Sequence, residues 1–479
     1  MLTIQEIKHF IDSDASSKKK QLAREGQRYY EGDHDIKNYR IFFYDADGNL
    51  KEDKFRSNIK ISHPFFAELT DQAVQYMLSG KEGFIRSDTP ELQQELDAYF
   101  NENEDFTSEL YEILTDTITK GFAFAYAYKN KEDRTSFLCA DSMGVVEVRA
   151  KETQDNCDYV IYWYVDRISK DNKEVKRIQV WDIAQTYYYT EIDGKIEPDA
   201  SAEINPRPHV VYTKGDVTYC EDYGVIPFFR MDNNRKQISG LRPVKDIIDD
   251  YDLMNAGLTN NIQDANEVLY VVKGFQGDNL DELMTNIKAK NHIGVDEGGG
   301  VDIQTISIPT EARKIKMEID EKNIFRFGMG VSTEGLKDTS ATTSIAIKSA
   351  YALLDLKCNK LEIRLKQFMR KLLKIVLAEI NANNGSDYQQ KDVYFKFDRE
   401  IIANAVENAQ IELTAAQKQQ VEINTLLNLA THLDNETLMQ LVCDSLDIKY
   451  EEIKDKLPSP EEDTLYKAQA GLTEVTADE

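Results

Sequence analysis

PVKDIIDDYDLMNAGLTNNIQD, residues 243–264, is the stretch on which the fold turns. Val244, Ile247, Ile248, Tyr251, Met254 and Leu258 recur at helical spacing on one stripe. Pro243 takes a first-turn position, where its missing N–H costs nothing. Beyond this helix the period changes. Val268–Val272 reads as a strand, followed by a polar helix, a Gly298-Gly299-Gly300 turn and a second strand at Val301–Ile308. A second helix is predicted over Thr310–Phe327, then a loop poor in large apolar groups over Gly328–Thr343. The longest periodic element starts near Ser344 and stops at Asn383-Asn384-Gly385. Its apolar face is Leu354, Leu361, Leu365, Phe368, Leu372 and Val376.

Toward the N-terminus, the first hundred residues read as short helices alternating with loops. One helix closes over Gly26–Gly32, and another follows Pro64 with Phe65, Leu69, Ala73, Tyr76 and Met77 at helical spacing. Leu92–Phe100 and Leu110–Ile118 are two further amphipathic helices. From Phe122 to Tyr128 large and small side chains alternate, as on a strand with two different faces. Strands at about Val145–Arg149, Asp158–Val165, Val175–Trp181 and Thr186–Ile192, separated by Asp-Asn and Asp-Gly turns, predict an antiparallel meander. The first half is thus α+β, ending near Phe229. Past a short strand at Val393–Phe397, residues 400–457 read as polar and amphipathic helices. From Glu451 onward nine acids face three lysines, a net of −6, and the tail after Pro458 reads as mobile.

A chain of 479 residues has room for roughly two to four domains. Its net charge of −27 argues against a protein that grips nucleic acid, because phosphate binding wants clustered Lys and Arg. It leaves room for one that surrounds DNA without holding it. Five scattered cysteines with no C-x-x-C pair make a disulfide frame or zinc knuckle unexpected and point to a reducing compartment. The N-terminus lacks the pattern of a signal peptide, and the Phe122–Tyr128 run is too short to span a bilayer, so a cytosolic, membrane-free setting is expected. There is no P-loop, H-E-x-x-H or G-x-S-x-G motif. The six histidines fall in different elements and read as surface or packing residues, and Asp320-Glu321-Lys322 as a solvated helix face. No catalytic residue, metal or cofactor is expected.

Several blocks resemble the portal family of tailed phages, of the type found in long-tailed phages of Gram-positive hosts. Tyr29-Tyr30-Glu31-Gly32-Asp33-His34-Asp35-Ile36 resembles its YY-x-G-x-x-x-I signature. Asn58, Ile61-Ser62-His63-Pro64-Phe65 and Leu69-Thr70-Asp71-Gln72 resemble its N-x-I-x-x-P-F-x-x-L-V-D block, and Gly121–Tyr126 its G-x-A-Y strand. The longest likeness runs from Gly224–Phe229 through Asn233-Asn234 and Val244–Asp252 to Asn260 and Tyr270–Gly274. Ser344-Ile345-Ala346-Ile347-Lys348 with Leu354–Lys357 resembles S-G-x-A-L-K…L-x-x-K, with Ile345 where glycine is usual. These blocks keep the family's order over about 330 residues.

The resemblance implies an α+β portal-type fold and a ring, dodecameric in virions, at one capsid vertex. Its parts would be a wing (1–238), first stem helix (239–265), clip (266–308), second stem helix (309–327), tunnel loop (328–343), long helix with return strand (344–399), helical crown (400–457) and acidic tail (458–479). The clip, with Lys273, Gly274, Phe275, Gln276, Asp278 and Asn279, would dock the terminase large subunit and later the head-completion adaptor. Ser332, Thr333, Glu334, Gly335, Leu336, Lys337, Asp338, Thr339 and Ser340 would face double-stranded DNA; without the resemblance they read as an ordinary surface loop. Capsid and scaffolding proteins are further expected partners. Lys357, Lys360, Arg364, Lys371 and Lys374 form a cationic stripe, open to DNA contact or, preferably, to pairing with the acidic surface of an adjacent subunit. Two other classes stay in view: another virion component, such as an adaptor or minor capsid protein, and an enzyme such as a nuclease. Adaptors are usually much shorter and lack the helix–clip–helix–loop–long-helix order, and the motif census disfavours an enzyme.

Overall fold

The computed structural model describes residues 1–445 except 46, 55, 81–82, 151–156, 169–172, 215–216, 265–268, 276–294, 305–308, 333–343, 400–404 and 429–434. The chain forms two units, Met1–Ile401 and Ile402–Glu479. The first opens with α1 (Ile4–Ala15), started by a Thr3/Glu6 capping box, and α2 (Lys18–Tyr30), capped by Ser17. A hairpin of β1 (Phe42–Tyr44) and β2 (Leu50–Glu52) follows. Its strands are only three residues long, too short for periodicity to mark, although an Asp47-Gly48 turn signal stands between them. Then come α3 (Phe65–Met77), β3 (Ile85–Arg86), α4 (Pro90–Leu96) and α5 (Glu104–Lys120).

Helix α5 stops at Gly121, where φ is +89° and an added Cβ would lie 2.5 Å from the Gln237 carbonyl oxygen. Strand β4 (Phe122–Lys129) leaves this glycine and pairs with β5 (Thr135–Ala140) on one side and with a later strand on the other. The predicted two-faced strand is observed. Ala123, Ala125 and Ala127 enter the main core beside α5, whereas Phe122, Phe124 and Tyr126 enter a second, aromatic core. The meander β6 (Val145–Val148), β7 (Tyr159–Ile168), β8 (Glu174–Trp181), β9 (Gln185–Ile192) and β10 (Lys195–Pro198) runs in sequence order, with β11 (Arg207–Pro208) also on β9. A second hairpin, β12 (Val210–Lys214) and β13 (Val217–Glu221), precedes β14 (Phe228–Asp232), the other partner of β4.

Next comes α6 (Lys245–Asp264), then the hairpin β15 (Leu269–Phe275) and β16 (Val295–Gln304), and then α7 (Thr310–Gly328). One expectation fails here: Gly298-Gly299-Gly300 is no turn between strands but lies inside β16. Lys273 pairs with Gly300 while Phe275 pairs with Val295, so one residue of β15 faces four of β16. Gly298, at φ +87°, supplies the backbone freedom such a bulge demands. The polar helix expected within the hairpin falls outside the described residues. Helix α8 (Ser344–Asn384) buries Leu354, Cys358, Leu361, Leu365, Phe368, Leu372 and Val376 in the main core, and β17 (Tyr394–Phe395) returns to pair with β3. The second unit contains α9 (Ala405–Asn428) and α10 (Asn435–Ser445).

Candidate functional site

The α6–α7 pair and its hairpin form the element most unlike an ordinary α+β domain. Lys316 of α7 donates to Asp250, and the Arg313 guanidinium lies against Gly257, so the two helices run antiparallel. Lys316 also pairs with Asp320. Asp320 is therefore buried and ion-paired, against the expectation of a solvated face. The inward positions of α6, namely Ile248, Asp252, Ala256 and Asn260, step by four, so polar groups sit on the same buried row as the apolar ones.

Those polar groups meet the two N-terminal blocks singled out in the sequence. The Asp252 carboxylate is fully buried and accepts from His34 Nδ1 (2.7 Å), His63 Nδ1 (2.7 Å) and the His63 backbone N–H (3.1 Å). His34 Nε2 donates to the Tyr29 carbonyl (3.2 Å), and the Tyr29 and His34 rings stack at 4.5 Å. Burial pushes the Asp252 carboxyl up, but the hydrogen bonds and charge of the two imidazoles override it and hold it below the ordinary carboxylate range.

One turn earlier, Tyr29 donates its hydroxyl to Asp249, and Lys245 bridges Asp249 (2.7 Å) and Asp35 (2.8 Å). Asp35 also takes Arg28 at 2.7 Å. Against a desolvation cost, Arg28 and Lys245 hold its carboxyl down at about 2. At the far end of α6, Asn260 Oδ1 accepts the Ile59 N–H (2.6 Å) and Asp264 Oδ1 the Ser57 N–H (3.1 Å). The histidines are expected as surface or packing residues in separate elements; His34 is indeed buried, but it and His63 come together on the one carboxylate of Asp252. The available signal was Asp249 and Asp252 standing beside an otherwise apolar stripe.

Of the expected clip residues, Lys273 is exposed on β15, Gly274 stands opposite the bulge, and Phe275 pairs with Val295; Gln276, Asp278 and Asn279 lie outside the described residues. Ser332 follows Val331, whose backbone exchanges hydrogen bonds of 3.0 Å in both directions with the Gln72 side chain. Thr333 through Ser340 lie outside the described residues.

The cationic stripe does not act as a unit. Lys357 turns inward, its ammonium donating to the carbonyls of Leu69 (3.0 Å) and Gly328 (3.2 Å), and burial pushes it down to about 8. This group is spent inside the subunit and leaves the stripe. Lys371 donates to the Arg230 carbonyl at 3.2 Å, while Lys360 and Lys374 are exposed and Arg364 is half-buried. Leu353, Leu356 and Ile363 are exposed on the same side of α8. Among the described residues no cluster of His, Cys, Asp and Glu is arranged to hold a metal, and no helix is long and apolar enough to cross a membrane.

The buried charges of this chain hold elements to one another, and the most elaborate set fixes a helical hairpin onto an α+β body. The chain belongs to the family described as phage portal protein, SPP1 Gp6-like, whose model matches residues 9–456. It is 28% identical over 390 residues to the portal protein of Bacillus phage SPP1, covering 80% of this chain and 75% of that one. To the portal protein of Clostridium phage phiCD119 it is 25% identical over 427 residues, covering 86% and 89%. A chain of the solved structure "Neck of native GTA particle computed with C12 symmetry" superposes with a TM-score of 0.42 at 11% identity, over 79% of this chain and 89% of that one.

Proposed function

We propose that copies of this chain close into a ring, twelve-membered in the assembled particle, at one vertex of a phage capsid. Double-stranded DNA passes through the ring during packaging and ejection. The family match over residues 9–456 carries this reading. The role is structural: α6 and α7 form the stem, and the hairpin β15–β16 with the segment between its strands, including Gln276 to Asn279, forms the docking end. That end receives the terminase large subunit during packaging and the head-completion adaptor afterwards, while capsid and scaffolding proteins surround the ring.

The charge of −27 suits a conduit. Every phosphate contact adds salt-dependent affinity, so a cationic lumen would stall the duplex. An acidic one keeps it centred through repulsion screened over roughly 10 Å. Ser332 to Ser340, small and polar with Lys337 as their cation, serve as a moving contact on the phosphate backbone. Lys360, Arg364 and Lys374 offset self-repulsion between acidic neighbours.

Negative-stain imaging of the purified chain is the direct test. Rings with a central hole are expected; compact monomers across the micromolar range would falsify the reading.

A further inference from the structure

The hairpin β1–β2 is exposed on both strands. Register places Phe42 opposite Glu52 and Tyr44 opposite Leu50, so Phe42, Tyr44 and Leu50 share one face and Phe43 with Lys51 the other. On the first face Phe42 is 52%, Tyr44 73% and Leu50 58% exposed. A two-stranded hairpin is marginal in water without something packed on it. This one is nonetheless sharply built: Asp45 Oδ1 accepts the N–H groups of Asp47 and Asn49 at its tip, and Arg40–Glu52 and Lys51–Asp45 pairs brace its sides. Three large apolar groups on a well-formed but uncovered face describe a contact surface.

We infer that this face docks on helix α7 of a second copy of the chain, clasping neighbouring subunits of the ring. The inference rests on the ring reading above. Three observations select this occupant. First, the hairpin's root is tied through Ser57 and Ile59 to Asp264 and Asn260, the end of α6 that lies beside the start of α7. Rotation about a ring axis keeps height along that axis, so a projection at this level meets the neighbour's first turns of α7. Second, continuing into its second and third turns, α7 carries an uncovered pair one helical turn apart, Ile315 (54% exposed) and Ile319 (49%). Third, both surfaces are close to neutral in a chain of −27. Residues 40–54 hold three cations and four acids, and the outward face of α7 sets Lys314, Lys322 and Arg326 against Glu311 and Glu318. Copies can meet there without the repulsion that the rest of the surface imposes.

Hydrogen exchange of the full chain, compared between assembled rings and dilute subunits, reads this contact directly. Backbone amides of residues 41–53 are expected to slow on assembly, and to lose that protection in Ile319→Asp. The double variant Tyr44→Ser, Leu50→Ser removes only exposed groups and should melt like the parent, yet need about tenfold more subunit to form rings. Unchanged exchange on assembly, unchanged ring formation by the double variant, or protection that survives Ile319→Asp each overturns the clasp. Protection that appears only on adding another virion protein would reassign the face to that partner and also overturn it. A parent chain that forms no rings removes the ring reading, and the clasp with it.

Discussion

Asp252 concentrates the residue-scale chemistry. It is a fully buried carboxylate whose neighbours are two imidazoles and a backbone N–H, and such a group is tolerable only while all its partners stay in place. Asp252→Asn keeps the shape but removes the charge, and is expected to cost about 3–5 kcal/mol at neutral pH in denaturant unfolding. The folded carboxyl lies below its ordinary 3.8, so its contribution is present above pH 3.8 and is lost as pH falls through the lower folded value. The gap between parent and variant should therefore shrink in strong acid. A gap that persists there would mean that packing, not charge, is what the substitution damaged.

Among the elements, periodicity carried most of the information. Helix α6, helix α7, the 41-residue α8 and the meander all lie where they were expected, and α8 buries one continuous apolar stripe in the main core. Three things escaped. Glycines read as punctuation, but in β16 they serve a bulge, and nothing local separates a glycine turn from a glycine bulge. Lys357 fits a cationic stripe by spacing, yet its long stem lets the ammonium reach back to carbonyls of α3 and α7. The convergence of His34, His63 and Asp252 joins positions separated by up to 218 residues, a juxtaposition that only the assembled fold creates. Lys357 thereby joins three helices, and its loss should be felt at that junction. Lys357→Met is expected to cost about 1–3 kcal/mol at pH 7 by stranding two carbonyls. Because burial holds the folded ammonium at about 8 against 10.5, the folded chain releases this proton before the unfolded chain does. Parental stability therefore rises relative to the variant between those two values, and paired melts across that window check the sign.

At the scale of the whole molecule, a subunit of −27 must assemble against its own field. Reversing Lys360 and Arg364 together should weaken rings at about 0.15 M salt, with partial recovery as added salt screens the repulsion. Sizing of rings over a salt series measures this; intact rings that no longer package DNA would assign those cations to the duplex instead. The anchors on α6 also have a mechanical meaning. Lys245, Asp249, Asp252, Asn260 and Asp264 are bonded to the N-terminal segments along about 28 Å of helix. A pull along the helix axis loads all five in shear at once, whereas a pull across it would peel them one by one. The helix is thus held stiffly along its own axis and more compliantly across it. Displacing it lengthwise by a single turn would forfeit every anchor together, so axial thrust passes to the body as to a keyed shaft.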